Sequence, residues 1–325
     1  MWWDSRTLTR DDRLVRHRKL RRGPHGDAIA VIRGRAPRLL AIVLFTALPW
    51  VAAPSAFAEG DREDEEDQST PSAERLAEEF SDPLTTLPQI FLQDAYTPAN
   101  YGIDSSTNRV IARIIVPRLP KYSLFPFVQL VRPSFSLVTV PTGNGRTRTA
   151  FGDMQLFDLA VIPWPGKESG LMMGVGPVFV FPTATDRAAG QGAWQVGPAF
   201  GAIYKGLPGW LFGCLIQDPI SFADTSRDRQ PVGVLTFQPV VLRHIWRGLY
   251  AKSADASWAY GWRDGSSITV PLSFGLGWVI VREGLSPINL FVTGEWMAYR
   301  RDAPVAPQTT VRFGVTIGFP QWRPW

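Results

Sequence analysis

From about residue 83 to the carboxyl end, apolar and polar side chains alternate with period two, and the 3.6-residue period of a helix is hard to find. The last run is the clearest. Val311, Phe313, Val315, Ile317 and Phe319 project to one side, while Thr310, Arg312, Gly314, Thr316 and Gly318 project to the other. Ile268, Val270, Leu272, Phe274, Leu276, Trp278 and Ile280 are set in the same way against Thr269, Pro271, Ser273, Gly275 and Gly277. One face is continuously apolar and the other is small and polar. Runs of this kind predict strands at approximately 88–96, 108–117, 124–140, 151–163, 169–182, 193–205, 209–222, 232–244, 249–259, 267–281, 288–299 and 308–319. Longer connections (97–107, 141–150, 183–192, 223–231, 260–266, 300–307) alternate with shorter ones (118–123, 164–168, 206–208, 245–248, 282–287). The expected fold is therefore all-β: a closed antiparallel transmembrane β-barrel of about twelve strands, with short turns at one rim and longer loops at the other.

Tryptophan gives an independent check, because its amphipathic ring collects where strands leave hydrocarbon. Trp164, Trp210, Trp246, Trp278, Trp322 and Trp325 fall at or near the short-turn ends, and Trp194, Trp258, Trp262 and Trp296 at or near the long-loop ends. A soluble β-sandwich would place such rings mid-strand in its core. Two features resist the pattern. Pro177, Pro198 and Pro239 lie inside expected strands, where each removes a ladder hydrogen bond and requires a bulge or bend. In the run 151–163, Asp153 and Gln155 share one face and Asp158 takes the other, which leaves the register open.

Upstream of residue 83 the chemistry changes. Residues 39–58 form an apolar core that follows Arg33, Arg35 and Arg38 and ends in Ala56-Phe57-Ala58, the pattern of an export signal cleaved after Ala58. Residues 1–58 are thus read as a basic leader and signal peptide, and initiation near Val31 would give a leader of ordinary length. Without them the chain keeps 23 basic against 25 acidic residues, so the apparent +5 charge is no sign of nucleic-acid binding. Residues 59–82 carry eleven acids and two arginines and are expected to be a disordered acidic segment. A short helix over Ala73–Phe80 capped by Ser72 is compatible with the sequence but would bury little. The barrel would then occupy 83–325. Its single cysteine, Cys214, rules out an intrachain disulfide.

At residues 151–205 the chain reads FGDMQLFDLAVIPWP, GVGPVFVFPTATD and GQGAWQVGPAFGAIYK. These segments, with WLFGCLIQDPISFA, LTFQPVV and ITVPLSFGLGWV further on, resemble the outer-membrane barrel family named for the meta-pathway of phenol degradation. The elements that carry the resemblance are Gly176-Pro177, Phe181-Pro182-Thr183-Ala184-Thr185 and Gly197-Pro198. It implies a barrel in the outer membrane of a Gram-negative bacterium that passes small, often hydrophobic, compounds, and it brings no catalytic residue. Arg312–Phe319 also resembles the terminal-strand signal read by the barrel assembly machinery, with Gly314, Ile317 and Phe319 at the positions read, although Pro320–Trp325 follow it.

Catalytic chemistry finds little support. Beyond the leader the only histidine is His244, and the serine that a twelve-stranded membrane phospholipase carries two residues after its histidine is here Trp246. Cys214 and His244 fall on different strands, which makes no metal set, and the glycines of GVGPVF and GLGW lie along strands and open no phosphate loop. No enzyme activity, metal or cofactor is expected. The candidates for a lumen lining are Arg113, Gln155, Gln195, Gln217, Gln238, Asp255, Glu295 and Arg312, since in lipid each would be costly. The expected partners are outer-membrane lipid, the assembly machinery and a small hydrophobic solute, with no nucleic acid. Two other readings stay open: a plugged barrel with a structural or anchoring role, and a secreted soluble β-sandwich or lipid carrier. The terminal-strand pattern generates a test. Phe319→Asp should lower the yield of folded, heat-modifiable barrel several-fold, whereas Trp325→Ala should leave it near wild type; equal effects would make the match a coincidence.

Overall fold

The structure is a computed structural model that describes residues 72–85, 87–116, 128–143, 146–163, 170–253, 256–263 and 265–320. Its sheet begins with β1 (Gln89–Tyr101), which pairs with β2 (Thr107–Ile115) on one side and with β15 (Ala306–Gly318) on the other, so the first strand meets the last. Between them run β3 (Val128–Gly143), β4 (Arg146–Phe151), β5 (Met154–Pro163), β6 (Leu171–Phe181), β7 (Ala193–Tyr204), β8 (Trp210–Gln217), β9 (Ile220–Asp224), β10 (Val234–Trp246), β11 (Leu249–Lys252), β12 (Trp258–Gly261), β13 (Ser267–Ile280) and β14 (Ile288–Arg301). Every junction is antiparallel. The pairs β4/β5, β8/β9 and β11/β12 are each one stave broken midway, so the fifteen strands make a closed barrel of twelve staves.

Proline stands opposite two of these breaks and opposite a further gap in the β5–β6 ladder. Pro177 has no N–H to give β5, and Asp158 and Leu159 drop out of that ladder. A Cβ on Gly176 would sit 2.0 Å from the Asp158 carbonyl oxygen, so only glycine lets the two backbones approach so closely there. Gly197-Pro198 meets the gap between β8 and β9 in the same manner, with the Asp218 carbonyl oxygen 1.8 Å from the ideal Cβ position on Gly197. Opposite Pro239 the ladder stops between β11 and β12. Ser253 spans that gap by accepting from the Val241 N–H and donating to the Pro239 carbonyl.

Side chains sort cleanly by face. Leu272, Phe274, Leu276 and Trp278 on β13, Leu290 and Val292 on β14, and Val311 and Phe313 on β15 all point outward and are exposed, Phe274 at 58% and Phe313 at 59%. Exposure of large apolar groups on this scale requires an apolar surround. Trp246 and Trp278 lie toward one rim; Trp194, Trp258, Trp262 and Trp296 lie toward the other, while Trp164, Trp322 and Trp325 are outside the described residues. The register left open at 151–163 resolves with Gln155, Phe157, Leu159 and Val161 inward. Asp158 is outward and accepts from the Gln129 amide at 3.3 Å.

Two expectations need correction. The connections do not alternate short and long: β1 and β2 are separated only by 102–106, and most of 141–150 is paired between β3 and β4, while 281–287 joins β13 to β14 at the opposite rim. Ladder pairing carries these strands past the point where alternation stops. The second correction concerns 59–82, whose described part is ordered. α1 (Ala73–Ser81) is a helix, with Ser72 accepting from the Arg75 N–H at 3.2 Å, and it buries Leu76, Ala77 and Phe80. It buries them inside the barrel, against Leu211, Leu242, Val279 and other inward side chains at the rim where β1 begins and β15 ends. Around the helix the inner face at that rim is apolar, although Gln89, Asn289 and Thr316 are also buried inward there.

Close inward packing generates a stability test. A Cβ on Gly314 would lie 2.0 Å from the Phe291 ring, whereas one on Gly294 has nothing nearer than 4.0 Å. Gly314→Val should destabilise the barrel by about 1–3 kcal/mol through overpacking. Gly294→Ala should stay within about 0.5 kcal/mol of wild type. Denaturant unfolding of the two variants in lipid vesicles or detergent checks the contrast.

Candidate functional site

The lumen has three levels. At the lower rim sits the plug made by α1 and the turn that follows it. Leu84 is fully buried and fits over Gly174 and Gly201, where a Cβ would come within 2.6 and 2.8 Å of its Cδ2. The plug is tied to the wall by charge. Lys205, just past β7, places Nζ 2.8 Å from Asp82 Oδ2 and 3.2 Å from Glu79 Oε1. Asp82 also accepts from the Leu84 N–H at 2.7 Å, and the Thr85 hydroxyl donates to Glu79 at 2.6 Å. Burial pushes the Asp82 carboxyl up to about 6, with the attraction of Lys205 offsetting only part of that penalty. Burial also works against the Lys205 ammonium, but Asp82 and Glu79 outweigh it and raise its pKa. His244 reaches Glu74 at 3.5 Å near the start of the helix.

Above the plug the inner face is polar. Arg312 on β15 binds Glu295 on β14 through Nη2 at 2.5 Å and Nε at 3.2 Å. Gln155 donates to Gln217 at 3.0 Å. These two belong to staves separated by β6 and β7, so the bond spans the inner face of those two staves. Gln195 is 2% exposed and donates to Gln191. Arg113 stacks over the Phe91 ring at 4.8 Å and lines a cavity together with Gln238. Asp255, the remaining lumen candidate, lies outside the described residues.

At the upper rim, segment 182–192 folds back onto the barrel. Asp153 accepts from the N–H groups of Ala184 and Gln191, Arg148 pairs with Asp186, and Arg229 donates to the carbonyls of Arg187 and Gly190. Ala189 packs on Val138, Val140 and Ala150 beneath this segment.

The assembly-signal positions are spread over two faces and a strand end. Gly314 faces inward under Phe291, Ile317 sits between Ile90 and Ile288, and Phe319 donates its N–H to the Pro88 carbonyl at 2.9 Å. Cys214, paired with Pro239, and the inward His244 remain apart, and among the described residues no three metal-ligating side chains converge. Sequence reasoning missed several inward cations: Arg109, Arg132, Lys252 and the plug-binding Lys205. Arg109 stands in phase with Arg113 two pairs along β2, and that spacing was a usable signal. Lys252 stands on a four-residue strand too short to show a phase.

Among solved structures, the chain is similar to the COG4313 outer-membrane channel from Pseudomonas putida F1, with 12% identity over 74% of this chain and 98% of that one and a TM-score of 0.49. It is also similar to the KdgM porin in complex with disordered oligogalacturonate, with 10% identity over 71% and 99% of the two chains and a TM-score of 0.40. No family model matches the chain, and no curated protein does. The resemblance to the meta-pathway barrel family therefore rests on the motifs quoted above.

The plug contacts set up a pH test. Asp82 is raised in the docked state, so its contribution is fully present below about pH 4, the ordinary carboxylate range, and is lost as pH rises through 6. Amide exchange across Leu76–Ser81, corrected for its intrinsic pH dependence, should accordingly be slower at pH 5 than at pH 7.5. Lys205→Ala leaves the Asp82 carboxylate buried without its cation, a loss of about 3–5 kcal/mol at neutral pH. It should speed that exchange and steepen the pH dependence; unchanged exchange in the variant would show that the ion pair does not hold the plug.

Proposed function

We propose that this protein is an outer-membrane barrel of a Gram-negative bacterium, exported with a signal removed after Ala58, that provides passive passage for small molecules, including hydrophobic or aromatic ones. One observation carries the reading: a closed barrel whose outward positions are large and apolar while its mid-lumen positions are Gln, Thr, Arg and Glu. That distribution suits a wall in lipid around a polar interior and inverts the arrangement of a soluble β-sandwich. The motif resemblance to the meta-pathway family supports the hydrophobic part of the solute class. The lumen holds and orients solute without transforming it.

A second reading has an observation of its own. α1 fills the lower rim and is ion-paired to the wall, which also suits a permanently closed anchoring barrel. Conductance separates the two. In planar bilayers the full-length barrel should give small, stable currents, and uptake of a labelled aromatic solute by cells should rise when the protein is expressed. Removing residues 59–84 should increase the current several-fold. A folded barrel without current or uptake, with or without the plug, would overturn passage in favour of anchoring.

A further inference from the structure

We propose that segment 182–192 is a constriction in the upper mouth of the barrel, positioned by Asp153, and that it limits entry to the lumen by cross-section. The proposal rests on the reading of the lumen as a solute path, to which it adds the size limit. The segment joins β6 to β7, yet it leans across the inner face of the neighbouring staves. Ala189 is 3% exposed and packs on Val138, Val140 and Ala150. These three point inward: Val138 lies opposite Arg109, which lies opposite the buried Ala95, and Ala150 and Arg148 stand across from Val138 and Val140. Arg148 in turn binds Asp186, and the inward Gln195 donates to Gln191, so the segment meets inward side chains on both of its limbs.

The fold-back has local causes. The stave made by β4 and β5 is broken at Gly152-Asp153, and the backbone groups beside the break need partners. Thr183 and Thr185 supply them, their hydroxyls accepting from the Met154 and Phe151 N–H groups at 2.9 and 3.1 Å. Asp153 is 4% exposed and ties the two limbs of the segment together. Its Oδ1 accepts from the Ala184 N–H at 3.1 Å and its Oδ2 from the Gln191 N–H at 2.6 Å. The limbs run so close that a Cβ on Gly190 would lie 2.3 Å from the Ala184 Cβ and 2.5 Å from Asp153 Oδ1. On the other flank Arg229, from the β9–β10 connection, donates to the carbonyls of Arg187 and Gly190 at 3.3 and 3.2 Å. The segment is thus gripped from both sides and holds one position over the mouth.

Its composition decides what it discriminates. Residues 182–192 read PTATDRAAGQG, and their two charges, Asp186 and Arg187, are taken by Arg148 and Asp228. The remaining side chains are small or neutral. The segment therefore has little charge of its own with which to sort guests by sign, whereas its fixed backbone excludes by bulk. Slender apolar or aromatic solutes pass such a mouth, and branched or multi-ring ones are turned away.

Thiol labelling of the full barrel in detergent tests the constriction. Cys214 faces outward and is replaced by Ala, and Thr236→Cys puts a reporter on the inner face of β10, in the row of Gln217 and Ala199 and deeper than Gln195. With α1 docked at the lower rim, reagent reaches this reporter from the mouth. Each rate is taken relative to that on the unfolded chain. N-ethylmaleimide should label the folded barrel readily, and the bulkier fluorescein maleimide, which reacts by the same chemistry, several-fold less well. Asp153→Ala should remove most of that size ratio, Asp153→Asn, which keeps one acceptor oxygen, should remove less, and Arg229→Ala should lower it from the other flank. The Arg229 variant keeps the test decisive if Asp153→Ala loses the heat-modifiable folded form. Equal labelling of the unaltered mouth by both reagents, a parallel change in both rates, or a size ratio indifferent to both alanine variants would overturn the constriction. A barrel that shows the size ratio but neither conducts nor raises uptake keeps the constriction and sinks the passage reading.

Discussion

Closure of the sheet on itself is the constraint from which the rest of the structure follows. β1 pairs with β15 from Gln89 opposite Gly318 to Tyr101 opposite Ala306, and this seam leaves the barrel no free edge. With outward side chains as apolar as Phe274, Trp278 and Phe313, an open edge would present unpaired N–H and C=O groups to a surround that cannot bond them. Once the ring is closed, the side-chain period of two leaves each residue only two directions. Most polar groups are turned inward and the outside is predominantly apolar, with Asp94 and Asp158 as outward exceptions.

The same constraint explains where the wall is irregular. Prolines at 177, 198 and 239 interrupt the ladder; opposite the last two the neighbouring stave is split, and Gly176 and Gly197 let backbones come together at the first two. Ser253 repairs part of the third gap with its hydroxyl. A wall satisfied in this local manner can bend without opening an edge.

The interior is shaped by a different balance. A twelve-stave ring leaves more space than its own side chains fill at the lower rim, and the amphipathic helix α1 occupies it, burying Leu76, Ala77 and Phe80 against inward Leu, Ile and Val side chains. Burying Asp82 with the plug is costly, and Lys205 is the compensation. Apolar plug, polar middle and tethered upper segment thus divide the lumen by depth.

Period-two alternation made the twelve staves legible from the amino-acid sequence, because a strand with one face in apolar surroundings must repeat every second residue whatever its neighbours are. Tryptophan positions and the three troublesome prolines were legible for the same local reason: ring amphipathicity and the missing N–H are properties of single residues. Alternation also sorted Glu295 and Arg312 to one face, but it carries no information on depth or on what lies across the lumen. That Gln155 meets Gln217 across two staves, that Lys205 meets Asp82 across more than a hundred residues, and that Arg113, Arg132 and Lys252 surround one cavity were decided by ring closure. The acidic stretch before residue 83 reads as unable to fold because, alone, it has too little apolar surface to offset ordering. Leu76, Ala77, Phe80 and Leu84 become a helix and plug only when the barrel supplies the opposing surface, and that surface exists only in the tertiary structure.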